Sequence, residues 1–224
     1  MSIFAVSFVL LLSVFHVGTT AYAQNDEAKK ILERIAGTKV AGDHPLLNRI
    51  RASLAAGDRV TAGRIATEHP NFLNITVKQF ALKMSTREES ISTPFNDFAA
   101  SVVGVTKDAL DARLLLTGNF HYRAADGVVT DMNITRSNVH FEELEKKVGR
   151  RQVNLSTGLV RVNGQLIPGN DNNTVVANPD PAGVLTSRTF LGAHTVAGTN
   201  RRPVEYTFRE FMGVKMEDES DTGA

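Results

Sequence analysis

Residues 114–129 read LLLTGNFHYRAADGVV, and the break at Gly118 decides the architecture. Up to Gly118 the apolar residues recur three and four apart, the period of a helix with one buried face. Beyond it, Asn119-Phe-His-Tyr-Arg123 reads as a short strand, Asp126-Gly127 as a turn, and Val128-Val129 as a second extended piece. The expectation is a mainly α chain with a smaller β-containing C-terminal part, an α+β protein. A helical domain of about six helices would cover 24–118 and a mixed α/β region 119–213.

Upstream of the break the helices carry their own punctuation. Asn25 caps a first helix that turns Ala28, Ile31, Leu32 and Ile35 to one side and stops at Gly37. Asp43 caps a second, with Pro45 in its first turn and Leu46, Leu47, Ile50 and Leu54 inward. Gly57-Asp58 then makes a tight αα-hairpin, whose third helix sets Ala62, Ile65 and Ala66 against the second before His69-Pro70. A fourth helix from Asn71 or Asn74 turns Val77, Phe80, Ala81 and Met84 inward. A fifth, with Pro94 in its first turn, carries Phe95, Phe98 and Val102, and a sixth runs from Lys107 to Leu116.

Downstream, Asn138 caps a helix with Phe141, Leu144 and Val148 inward, ending at Gly149. Asn163-Gly164 between Leu159-Val-Arg-Val and Gln-Leu-Ile predicts a β-hairpin, because Asn-Gly supplies the two positive-φ positions of a type I′ turn. A surface loop runs from Gly169 to Asp180. A last helix from Arg201 to Met212 would turn Val204, Phe208, Phe211 and Met212 inward, with Thr199 or Asn200 as cap and Gly213 after its end; residues 214–224 form an acidic tail.

The N-terminus, IFAVSFVLLLSVFHVGTTAYA over 3–23, reads as a secretory signal peptide cut after Ala23, so that the mature chain starts at Gln24. Its apolar core is shorter than the roughly 20 residues that span a bilayer. The expected location is therefore the periplasm or cell envelope of a bacterium, with no transmembrane anchor after cleavage. Cysteine is absent, which excludes disulfides, a thiolate metal site, a Cys nucleophile and thioether-linked haem c. With 25 basic and 24 acidic residues no global field favours nucleic acid.

No phosphate-binding glycine loop, nucleophile elbow, HExxH or EF-hand pattern is present. His140 and Glu143 stand three apart, a spacing that can put two metal ligands on one helix face, with His121 approaching from the preceding strand. The alternative is that both helix residues sit in an exposed first turn. Lys146, Lys147, Arg150 and Arg151 form a basic cluster that either grips an anion or lipid headgroup or, the favoured reading, is a solvated helix end whose cations complement the dipole. Arg201 and Arg202 open the last helix, where cations oppose the dipole. Either a carboxylate such as Asp180 or Glu205 holds them, or they form an anion-binding site.

Gly183-Val-Leu-Thr186, Thr199-Asn-Arg-Arg-Pro-Val204 and a helix ending Phe211-Met-Gly213 resemble a block in large exported, uncharacterised proteins of planctomycetes and myxobacteria. Those proteins often carry c-type cytochrome segments. Leu114 to Tyr122 is similar to that family's segment after its helical region. The resemblance implies an exported, cytochrome-associated protein, of which this chain would be a truncated or haem-free member, since the family's Cys-x-x-Cys-His site has no counterpart here. Haem without those cysteines would need axial ligation by His194 with a methionine, and Met212 reads as packed; no cofactor is expected.

Two functions stay open. One is a non-catalytic binding or assembly module for a protein partner or envelope component. The other is an exported hydrolase-like enzyme with His121, His194, Arg201 and Arg202 converging in a polar cleft; no nucleophile–base or paired-carboxylate pattern supports it.

Overall fold

The computed structural model describes residues 26–171, 174–195 and 201–215, apart from the side chain of Arg201. The expected signal peptide, the Asn25, Thr199 and Asn200 caps and residues 216–224 of the tail lie outside the described residues. The protein is mainly α, with two small antiparallel sheets of two strands each among the described residues. It divides into two compact units, one through Thr76 and one from Val77, so Gly118 falls inside the second.

In the first unit, α1 (26–36), α2 (Pro45–Ala55) and α3 (Arg59–Ala66) enclose Ala28, Leu32, Leu47, Ile50, Ala62, Ile65 and Ala66. Gly57 has φ +76°, the left-handed conformation that a turn this tight needs, and Asp58 accepts from Thr61 N at 2.9 Å as the cap of α3. The cap of α2 is His44, whose Nδ1 accepts from Leu46 N at 3.3 Å, in place of the expected Asp43.

A π-helical stretch, Phe72–Val77, leads into α4 (Lys78–Ser85) of the second unit. Its wider turn shifts the phase of the helix after it. Ala81, Leu82 and Ser85 are buried, whereas Phe80, expected inward, is 60% exposed. Asn96 caps α5 (Asp97–Lys107) by accepting from Ala99 N, and donates to Ser85 Oγ at the end of α4. Helix α5 therefore starts three residues beyond Pro94. Phe98, Val102, Val103 and Val105 are all buried, which makes α5 the central helix of this unit. The sixth helix shrinks to α6 (Leu114–Thr117), because α5 runs on to Lys107 and Ala109 then takes φ +50°.

Strand β1 (Phe120–Ala124) packs on α5, with the Tyr122 ring against Gly104, where a Cβ would stand 2.3 Å from the ring. Helix α7 (Val139–Gly149) buries Phe141, Leu144 and Val148 as expected, and α8 (Leu155–Gly158) leads into β2 (Leu159–Asn163). The Asn163-Gly164 hairpin does not form. Strand β2 pairs antiparallel with β1, Phe120 opposite Asn163, while β3 (Leu166–Pro168) pairs with β4 (Val175–Ala177). Only Gly164 of the dipeptide has positive φ, +81°, and its N–H donates to Asn119 O at 2.9 Å. The turn thus delivers the chain from one sheet to the other.

A 3₁₀ turn, Gly183–Thr186, leads to α9 (Arg188–His194). Helix α10 (Arg201–Thr207) continues as a π-helical turn, Phe208–Met212, closed by Gly213 at φ +68°. Tyr206, 5% exposed, is its inward residue, whereas Val204 and Met212 are exposed.

Candidate functional site

The segment Gly183–His194 lines three hollows on the second unit. Its placement begins at Gly183, φ +54°, which lies so close to the Leu115 carbonyl that a Cβ would stand 1.9 Å from the oxygen. Gln165 Nε2 donates to Gly183 O at 2.7 Å. Farther along, the carboxylate of Asp97 at the start of α5 accepts from Arg188 N at 2.6 Å and Thr189 N at 3.2 Å, satisfying the first amides of α9. Arg188 Nη2 donates to Asn138 Oδ1 at 2.9 Å, and Asn138 Nδ2 to Phe95 O at 2.8 Å. The starts of α5, α7 and α9 are thereby locked together. Asn138 serves this junction instead of capping α7 with its side chain.

The first hollow is a half-enclosed cavity of about 200 Å³ between β1, β3, α5 and α9. Phe120, Phe141, Ile167 and Leu191 supply apolar wall, and Asp97, Ser101, His121 and Arg188 supply polar points. His121 Nδ1–H donates to Gly164 O at 2.7 Å, which leaves Nε2 as a lone-pair acceptor. Burial first, with a smaller effect of the Arg123 charge, holds its pKa below the ordinary imidazole value against the opposing hydrogen bond to Gly164 O, so the ring is neutral at pH 7. Ser101 Oγ donates to Asp97 O, and Arg188 Nε is buried without a partner.

The expected metal trio does not assemble. His140 is 0% exposed, with Nδ1–H donating to Asp131 O at 2.5 Å and Nε2 accepting from Ala124 N at 2.9 Å, so neither nitrogen is free for a metal. This also overturns the expectation that it sits in an exposed first turn. Glu143 accepts from Thr130 N at 2.8 Å, Thr130 Oγ1 at 3.0 Å and Asp131 N at 3.4 Å, bonds that keep its carboxyl below the usual carboxylate range. His121 is engaged at Gly164. Among the described residues no group of three His, Asp or Glu is arranged to hold an ion.

The expected convergence of His121, His194, Arg201 and Arg202 is not formed among the described residues. His121 lines the cavity, whereas His194 and Arg202 line a separate hollow of about 180 Å³ with Arg87, Glu205, Tyr206 and Arg209. The side chain of Arg201 lies outside the described residues. Glu205 shares the hollow with Arg202 without an ion pair between them. Between these two lies an open hollow that includes Thr86, Arg87, Asn138, Arg188 and Thr189.

Three buried polar atoms without a partner, Thr86 Oγ1, Arg188 Nε and His194 Nε2, therefore belong to residues along one continuous strip of surface. Sequence reasoning missed Asp97, Arg188 and Arg87. Nothing in a single sequence marks a carboxylate that caps a helix 91 residues away. No family model, curated protein or solved structure matches this chain.

Proposed function

We propose that the chain is an exported bacterial envelope protein of the cytochrome-associated type, acting as a non-catalytic binding module. It seats a small ligand with an apolar body and one acceptor group in the cavity beside Gly183–Leu191. The observation that carries this reading is the combination of an apolar, half-enclosed wall with Arg188 Nε left unpaired beside it. An acceptor on the ligand satisfies that N–H.

Binding is favoured over hydrolysis because Ser101 and Asp97, the groups that would serve as nucleophile and carboxylate, are already engaged by the fold. Ser101 gives its proton to a backbone carbonyl instead of a histidine, and Asp97 serves the amides of α9. The hydrolase reading also needed His194 beside His121, and the two line separate hollows.

The test is a thermal-shift and calorimetric screen of short aliphatic and aromatic carboxylates against the mature protein and an Ile167→Trp variant that fills the cavity. Saturable binding by the parent that the variant loses, at unchanged stability, supports the reading. No binding, or equal binding by both proteins, refutes it.

A further inference from the structure

The hollow under α10 has a chemistry of its own, independent of the cavity. Arg87 reaches it from the turn after α4, Arg202 from α10, and Arg209 from the π-helical turn Phe208–Met212. Arg209 is engaged by Glu89 at 2.8 Å and Glu210 at 2.7 Å, and lies over the Tyr206 ring at 5.4 Å. Among the described residues Arg87 and Arg202 make no ion pair, and Glu205 is the one carboxylate lining the hollow.

At its base, His194 is 4% exposed, packed on Phe190 at 4.6 Å and Tyr206 at 4.3 Å between ring centroids. Its Nε2 has no hydrogen-bond partner. A buried ring nitrogen left unpaired beside two guanidinium groups that make no ion pair among the described residues is costly to the fold without a ligand, and its neighbours define the sign of the ligand that would relieve it.

We propose that Arg87, Arg202 and His194 form an oxyanion site that takes a phosphate group, either a free phosphate or phosphomonoester or the headgroup of an anionic phospholipid. Two guanidinium groups carried by different elements and the His194 ring line one hollow, a set of donors that the several oxygens of a phosphate can satisfy together. His194 supplies the third contact. Burial, then Arg87, Arg209 and Arg202 in that order, hold the empty site's imidazole neutral, against a smaller opposite effect of Glu88. A bound dianion offsets the arginine charges, so the ring takes up a proton and donates through Nε2.

The experiment titrates the full mature protein with inorganic phosphate by calorimetry and follows His194 by ring-proton NMR. Expected are saturable binding, an upward shift of the His194 titration, and at least tenfold weaker binding in Arg87→Gln/Arg202→Gln. His194→Phe keeps the aromatic packing and should weaken phosphate severalfold without loss of thermal stability. Arg150→Gln/Arg151→Gln, which removes two exposed arginines elsewhere, should change nothing. Co-sedimentation with phosphatidylglycerol vesicles, present in the parent and lost in Arg87→Gln/Arg202→Gln, assigns the phosphate to a lipid headgroup; its absence assigns a free phosphate. No phosphate or vesicle binding, or equal losses in both arginine double variants, overturns the proposal.

Discussion

Replacing Gly183 by Ala tests the placement of the whole site. The residue holds φ +54°, and an added Cβ would stand 1.9 Å from Leu115 O, 2.4 Å from its carbonyl carbon and 2.9 Å from Leu116 N. These are backbone atoms at the start of α6, so the turn must move by roughly 1 Å or more to restore ordinary contact. Left-handed backbone costs an L-residue about 1–2 kcal/mol. Overpacking adds about 1–3 kcal/mol, and losing the Gln165 bond to Gly183 O about 1 kcal/mol more. The expected loss is about 3–6 kcal/mol.

Gly164 is the internal control. Its φ is +81°, yet nothing lies within 4 Å of the position its Cβ would take, so Gly164→Ala should cost only about 1–2 kcal/mol. Urea unfolding followed by tyrosine fluorescence reads the second unit, since Tyr122 and Tyr206 both lie there. If the two variants agree within about 0.5 kcal/mol, the close approach of Gly183 to Leu115 is wrong.

His140→Phe keeps a ring of similar shape but orphans Ala124 N–H and Asp131 C=O, so it should cost about 2–5 kcal/mol; a stable variant would refute the buried histidine bridge. His121, His140 and His194 all have pKa values lowered by burial, so the unfolded chain binds more protons as the pH falls. The stability they contribute is full above about pH 6.5 and is lost as the pH drops through their folded-state values. Urea midpoints should fall between pH 7.5 and 5 in the parent and fall less in His140→Phe, and flat midpoints would contradict three imidazoles held neutral by the fold. Mass spectrometry of the protein expressed in a bacterial host with its own N-terminus should find a chain beginning at Gln24, and a retained Met1 in the membrane fraction would contradict the signal-peptide reading.

The parts legible in the sequence are those whose signals are local. Gly57-Asp58 places a left-handed stop beside a cap, and helix α7 ends where Gly149 and the i, i+3, i+4 spacing of Phe141, Leu144 and Val148 put it. The failures are of two kinds. Both π-helical turns slip the phase of the residues after or within them, which turns Phe80 and Met212 outward against the period. The Asn163-Gly164 hairpin lost to a longer-range competitor. Five residues of β2 pair with β1, whereas β3 offers only three. At the site, His121 and Arg202 were expected in one cleft but line separate hollows, because the groups around them come from α5, α9 and the turn after α4.

The carboxylate of Asp97 at the head of α9 has a kinetic consequence. A seven-residue helix is far too short to persist alone, so α9 waits for a cap that lies 91 residues earlier in the chain. Closing a loop of that length costs about 4 kcal/mol of chain entropy before the contact returns anything. The Gly183–His194 segment should therefore order late in the second unit and open early. Its amides should exchange with solvent through a partial opening well below global unfolding, and occupancy of either hollow would slow that exchange. Ligand binding and completion of the fold become two readings of one equilibrium.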